Sequence, residues 1–169
     1  MKKDNSIIIG SGVIGSYLAK FLLSKKQRII VTSRKRKKSY TNYNKLDIEN
    51  KVIFEGLDVL KKDNILKLLK KYTPKNIFYF SGQSSLTKSI KLKKTTNDSN
   101  YIGAKKILEI LNKYKLKTNF YKANSGYIFQ PNKGLVNIKS KISKNKNPYI
   151  QSQIKAYKEV KTFRKMGVN

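Results

Sequence analysis

The sequence contains no cysteine and no histidine. It can therefore form no disulfide, no Cys/His zinc site, no cysteine nucleophile and no mechanism that turns on an imidazole base. Nothing in it requires an oxidising compartment, and no metal site is expected. Long apolar runs are missing too. The first one, Ile7 to Ile9, reaches glycine after three residues, too short for a signal peptide or a membrane span. The expectation is a cytoplasmic protein with no membrane contact.

Acidic residues are scarce: nine Asp and Glu stand against 39 Lys and Arg, a formal net charge of +30. Such a charge attracts anionic ligands and polyanions. The lysines are nevertheless spread through almost every segment, and most take the polar positions of amphipathic helices, as do Lys61, Lys62, Lys67, Lys70 and Lys71. Arginine is scarce while Lys, Ile, Asn and Tyr abound, which suggests biased coding as much as a binding surface. A specific nucleic-acid reader is not expected; a basic, nucleic-acid-associated protein that uses the fold as a scaffold stays open. At 169 residues, one domain is expected.

The strongest positive signal is at the start. A β-branched run, Ser6 to Ile9, enters Gly10-Ser11-Gly12-Val13-Ile14-Gly15, and a helix follows with apolar Val13, Ile14, Tyr17, Leu18, Phe21 and Leu22. Strand, Gly-x-Gly-x-x-Gly, helix is the context in which this glycine pattern means dinucleotide binding. Gly10 allows the tight turn, Gly12 lets the backbone approach a pyrophosphate, and Gly15 lets the helix sit close to the strand. The phosphates would lie at the helix N-terminus, beside Val13 and Ile14, where free N–H groups and the dipole favour negative charge.

The rest of the chain alternates strand and helix, predicting an αβα sandwich with a parallel sheet of order 3-2-1-4-5. Strands are expected at 6–9, 28–32, 52–55, 77–80 and 119–123. Helices are expected at 13–24, 63–72, 97–114 and 148–165. Pro74 ends the second, and Pro148 opens the last. Ile65, Leu68, Leu69, Tyr72, Ile107, Leu108, Leu111, Ile150, Ile154, Tyr157 and Val160 are the expected inward positions. The polar stretches 33–50 and 130–147 read as loops.

The residues after the second strand normally separate NAD from NADP. An acid there accepts from the ribose 2′-hydroxyl, whereas Arg pairs with a 2′-phosphate. Here Val31-Thr32-Ser33-Arg34 carries no acid, and the next is Asp47. Arg34, helped by Lys35 or Arg36, points to NADP.

In order along the chain, six segments resemble the extended short-chain dehydrogenase/reductase family, and within it the nucleotide-sugar dehydratases and epimerases, most closely the GDP-mannose 4,6-dehydratases. They are Ile9 to Ala19; Gly56-Leu57-Asp58-Val59; Phe80-Ser81-Gly82-Gln83-Ser84; Asn100-Tyr101-Ile102-Gly103; Tyr121-Lys122-Ala123-Asn124-Ser125; and Asn147-Pro148-Tyr149. The resemblance implies a Rossmann-type domain over residues 1–169. It implies that Asp58 and Val59 meet the adenine end of NADP, and that Ser81, Gly82 and Gln83 line the cofactor. Ser125 and Tyr149 would be the catalytic pair on a nucleotide-sugar substrate: Tyr149 takes the proton of the sugar 4-hydroxyl as hydride leaves for NADP, and Ser125 hydrogen-bonds the same oxygen.

Two positions depart from the family's pattern. Tyr-x-x-x-Lys reads Tyr149-Ile150-Gln151-Ser152-Gln153, so a neutral amide replaces the lysine; Lys155 is about 200° further round a helix at ~100° per residue. Tyr127 stands where the dehydratases place the acid that removes the C5 proton, and no acid occurs between Glu109 and Glu159. The family also continues into a C-terminal domain that holds the nucleotide-sugar, and the expectation is that this chain lacks it. The expectation is an NADP-dependent lyase of impaired activity, or a truncated, non-catalytic NADP-binding module. Lys155 or another lysine reaching in would restore the charge. In the family the last helix belongs to a dimer interface; mutual repulsion of two such basic chains favours a monomer, a homodimer being possible for a longer form.

Overall fold

The computed structural model describes residues 4–34 and 40–169. Five short strands form one parallel sheet in the order β3-β2-β1-β4-β5. They are β1 (Asn5–Ile9), β2 (Arg28–Ser33), β3 (Ile53–Gly56), β4 (Asn76–Tyr79) and β5 (Asn119–Lys122). Ile7, Ile8 and Ile9 are buried together because the central strand is covered on both faces.

The side-chain period of two sends alternate residues into two cores. Ile7, Ile9, Ile30, Ile77, Tyr79 and Phe120 face one layer, built from α3 (Lys62–Tyr72), α6 (Gly103–Lys113) and the end of α7 (Pro148–Lys165). Ile8, Ile29 and Val31 face the other, where α1 (Val13–Ser24) and the short α2 (Thr41–Lys45) supply Ala19, Leu22 and Tyr43. The inward positions expected of α3 and α6 are all buried, as are Ile150 and Ile154 of α7. Full burial of such a side chain contributes about 1.5–3 kcal/mol, so these stripes fix the layers.

Three elements differ from expectation. The stretch read as a loop after β2 contains α2 and a 3-10 turn, Glu49–Lys51. Tyr43 buries itself there against Tyr40 and Phe54, an aromatic contact that outweighs the polar composition around it. The helix expected from residue 97 begins earlier, as α4 (Leu86–Lys91) and α5 (Lys93–Asn97), and reaches α6 through a π turn at Asp98–Ile102. On α1, the large apolar residues Val13, Ile14, Tyr17 and Phe21 are exposed, and the buried face is Gly15, Ser16, Ala19 and Leu22. Close approach to the sheet admits only the small-residue side of this helix.

Candidate functional site

The C-terminal ends of the strands gather the expected residues. Gly10 leaves β1 with φ +115°, and its N–H donates to the Thr32 carbonyl of β2 at 3.1 Å. A β-carbon there would meet the backbone nitrogen of Ser81 at 2.9 Å, so the turn is left-handed and closed in. At Gly15 a β-carbon would collide with the Gly10 carbonyl oxygen. Gly12 is the opposite case. It caps α1, and a β-carbon on it would meet nothing within 4 Å. The two outer glycines are needed by the protein itself. The middle one borders open space at a helix N-terminus, with Val13 and Ile14 exposed beside it. That cradle can receive a phosphate on backbone N–H groups.

Arg34 follows β2 directly, is exposed, and forms no ion pair among the described residues. Lys35 and Arg36 lie outside the described residues. Next to it, the Leu57 N–H donates to the Ser33 carbonyl at 2.8 Å, which brings the turn after β3 to the same edge. One Asp58 carboxylate oxygen accepts from the Leu60 N–H at 2.9 Å. Val59 is buried against Gly103, so its side chain belongs to the core.

The segment after β4 is tied down by Asn100, which is 1% exposed. Its amide donates to the Gln83 carbonyl at 3.0 Å and to the Ser152 hydroxyl at 3.0 Å. Gly82 leaves the room this needs, since a β-carbon would overlap the Asn100 side chain. The Gln83 amide is folded onto the backbone of Ser85. Asn100 thereby joins the 81–83 segment to α7.

On the other side, Ser125, Tyr127, Phe129, Val136 and Ile150 line a cleft of about 430 Å³. The Ser125 hydroxyl accepts from the Tyr127 N–H at 3.3 Å. Tyr149 starts α7 next to Ile150, its N–H capped by the Asn147 side chain at 2.9 Å and its ring against the Ile128–Ile150–Ile154 cluster. Lys155 is exposed and lines a separate hollow with Lys93 and Lys94.

One residue escaped the sequence reading. Lys122, the last of β5, points to the α7 face because it is two residues beyond the core residue Phe120. Its ammonium donates to the Gln153 side-chain oxygen at 3.1 Å and lies 5.6 Å from the centre of the Tyr79 ring. Burial pushes its pKa down to about 8. A lysine at an inward strand position was the available signal.

The parallel 3-2-1-4-5 sheet, flanking helices and glycine cradle define a Rossmann-type α/β domain. Residues 7–167 match the family model of GDP-mannose 4,6 dehydratase, and the chain belongs to that family, within the nucleotide-sugar epimerases and dehydratases. It is 29% identical over 140 residues to a GDP-mannose 4,6-dehydratase of Yersinia enterocolitica, covering 76% of this chain and 37% of that protein. It is 28% identical over 121 residues to a CDP-paratose 2-epimerase of Salmonella typhi, covering 71% of this chain and 36% of the other. Among solved structures, UDP-glucose 4-epimerase from Brucella ovis in complex with NAD superposes with TM-score 0.85 at 17% identity, over 98% of this chain and 50% of its own. The dTDP-glucose 4,6-dehydratase of Bacillus anthracis, also with NAD, gives 0.77 at 19%, over 96% and 51%. The chain thus spans little more than a third of these curated relatives and about half of these structures. No helix among the described residues is long and apolar enough to cross a membrane.

Proposed function

We propose that this chain is the NADP-binding part of a nucleotide-sugar 4,6-dehydratase of the GDP-mannose type, acting in the cytoplasm, with residues 1–169 as one cofactor domain. The observation that carries the reading is the glycine cradle: Gly10 and Gly15 are closed in by backbone while Gly12 alone opens onto free space. The residues present fit a dinucleotide there. The α1 N-terminus and the backbone of Val13 and Ile14 would hold its pyrophosphate. Arg34 would pair with a 2′-phosphate, Asp58 with the adenine end, and Ser81 to Gln83 would line the middle. When bound, the cofactor supplies a hydride acceptor. Tyr149 would hold the proton of the sugar 4-hydroxyl, and Ser125 would hydrogen-bond the same oxygen.

Elimination of water should be slow. Tyr127 offers no carboxylate to take the C5 proton, and no acid stands between Glu109 and Glu159 to replace it. A lost acid–base group typically costs about 10²–10⁴ in rate. A cofactor-binding module without turnover therefore remains the second reading. Fluorescence titration with NADPH at moderate salt tests the first part, because the net charge attracts any phosphate at low salt. Saturable binding supports it and its absence overturns it. Incubation with GDP-mannose and NADP then separates the two readings: negligible dehydration is expected, and ready formation of the 4-keto product would show that Tyr127 is not a defect.

A further inference from the structure

Lys122 has an unusual setting. Its half-buried side chain sits between β5 and α7, and its ammonium takes part in none of the ion pairs among the described residues. The groups around it are neutral: the Tyr79 ring from β4, the carbonyl of Ala123 just after β5, and the Gln153 amide oxygen from α7. Tyr79 is the titratable group among them, and burial raises its pKa far beyond the working range, so it remains a neutral phenol. A cation partly withdrawn from water with no acid beside it is costly, and such groups concentrate where an anion or polar ligand is expected.

The contact with Gln153 has a direction. Because the Gln153 oxygen accepts from Lys122, its NH₂ group is left as donor on the other side. The Asn124 amide reaches the Gln153 backbone carbonyl at 3.4 Å, linking that residue to the loop that carries Ser125. Gln153 lies one helical turn after Tyr149, on the same side of α7.

We propose that Lys122 is the positioning cation of the dinucleotide site: from β5 it fixes the Gln153 amide and supplies the positive charge that α7 does not carry at position 153. The proposal rests on the dinucleotide reading above. It makes Lys122 and Gln153 one unit in which strand and helix have divided a charge and a donor between them. The neighbouring Lys155 takes no part, since it lines a different hollow.

The test is NADPH affinity at about 0.15 M salt between pH 7 and 9.5, for the unmodified chain, Lys122→Gln, Gln153→Leu, and the exchange Lys122→Gln with Gln153→Lys. Charge-assisted contacts predict binding about tenfold weaker in Lys122→Gln at pH 7, and largely recovered in the exchange. The pH profile is the sharper readout. Lys122 loses its proton near pH 8, so affinity of the unmodified chain should fall as pH rises through that value. Exposed lysines titrate about two units higher and cannot imitate this fall. The fall should be absent in Lys122→Gln. Should that variant not fold, Gln153→Leu, which keeps the ammonium and cuts the link, must also weaken binding. Equal affinity and an unchanged pH profile in folded variants overturn the proposal alone. Failure of the unmodified chain to bind NADPH overturns both it and the reading on which it rests.

Discussion

The side-chain amide of Asn100 donates to the Ser152 hydroxyl across 3.0 Å, with both residues 1% exposed. This bond fastens the π turn before α6 to α7, and the second amide hydrogen holds the Gln83 carbonyl. Removing Asn100 leaves these acceptors desolvated, at a cost of about 1–3 kcal/mol each where water cannot enter. Asn100→Ala should therefore lower the melting temperature by roughly 2–4 °C per kcal/mol lost. It should weaken NADPH binding as well, since residues 81–83 lose their anchor. Urea unfolding and a cofactor titration check the two effects; a variant as stable as the parent would show that the network is replaceable.

The three glycines should separate folding from binding. Gly15→Ala pushes a methyl group into the Gly10 carbonyl, which belongs to rigid backbone. It should cost about 1–3 kcal/mol or more, as overpacking against fixed atoms does. Gly12→Ala meets nothing and should leave stability within about 1 kcal/mol, the usual range for a helix cap. NADPH affinity should nevertheless collapse in Gly12→Ala, because the new methyl occupies the approach of the pyrophosphate. Circular dichroism melts beside NADPH titrations decide this. Normal binding by Gly12→Ala would remove the cofactor from this cradle.

Arg34 sets the expected preference for NADPH over NADH. A charged hydrogen bond to the 2′-phosphate is worth about 1.5–3 kcal/mol, or roughly ten- to hundredfold in affinity. Arg34→Ala should erase most of that difference and leave NADH binding nearly unchanged. Equal affinity of the unmodified chain for the two cofactors, at about 0.15 M salt, would dismiss the role.

What could be read from the sequence follows how each feature is encoded. The strand order and the buried faces of α3 and α6 are legible because apolar period and glycine spacing are written into the sequence. The boundaries of α1 and α7 are matched to the residue, since Gly12 and the Asn147–Pro148 pair mark where each begins. The buried side of α1 was not legible: its largest apolar residues face outward, and only the approach of Gly15 to Gly10 selects the small ones. α2 was hidden because an aromatic cluster with Phe54 stabilises it from 11 residues away. In the site, Gln153 was visible as a departure from a pattern. Its partner Lys122 was not, because the contact joins residues 31 apart in sequence.

Tyr43 and Tyr79 offer a paired test of buried hydroxyls. Both rings are 0% exposed, and burial raises the pKa of both well above the usual phenol range, so each is neutral at any working pH. The Tyr79 hydroxyl donates to the Ser99 carbonyl at 2.6 Å. That of Tyr43, under Gly15, has no hydrogen-bond partner among the described residues. Removing the Tyr79 hydroxyl forfeits a bond and leaves a buried carbonyl short, so Tyr79→Phe should destabilise by about 1–2 kcal/mol. Removing the Tyr43 hydroxyl relieves a desolvated group and keeps the ring contacts with Tyr40 and Phe54. The small void left behind offsets part of that gain. Tyr43→Phe should be stabilising by up to about 1 kcal/mol, because an unpaired polar group costs more than the lost contacts of one oxygen. Urea midpoints measured for the two variants side by side should move in opposite directions. A fall in both would mean that the Tyr43 hydroxyl has found a partner, such as a buried water, and would place a polar pocket beneath the glycine turn.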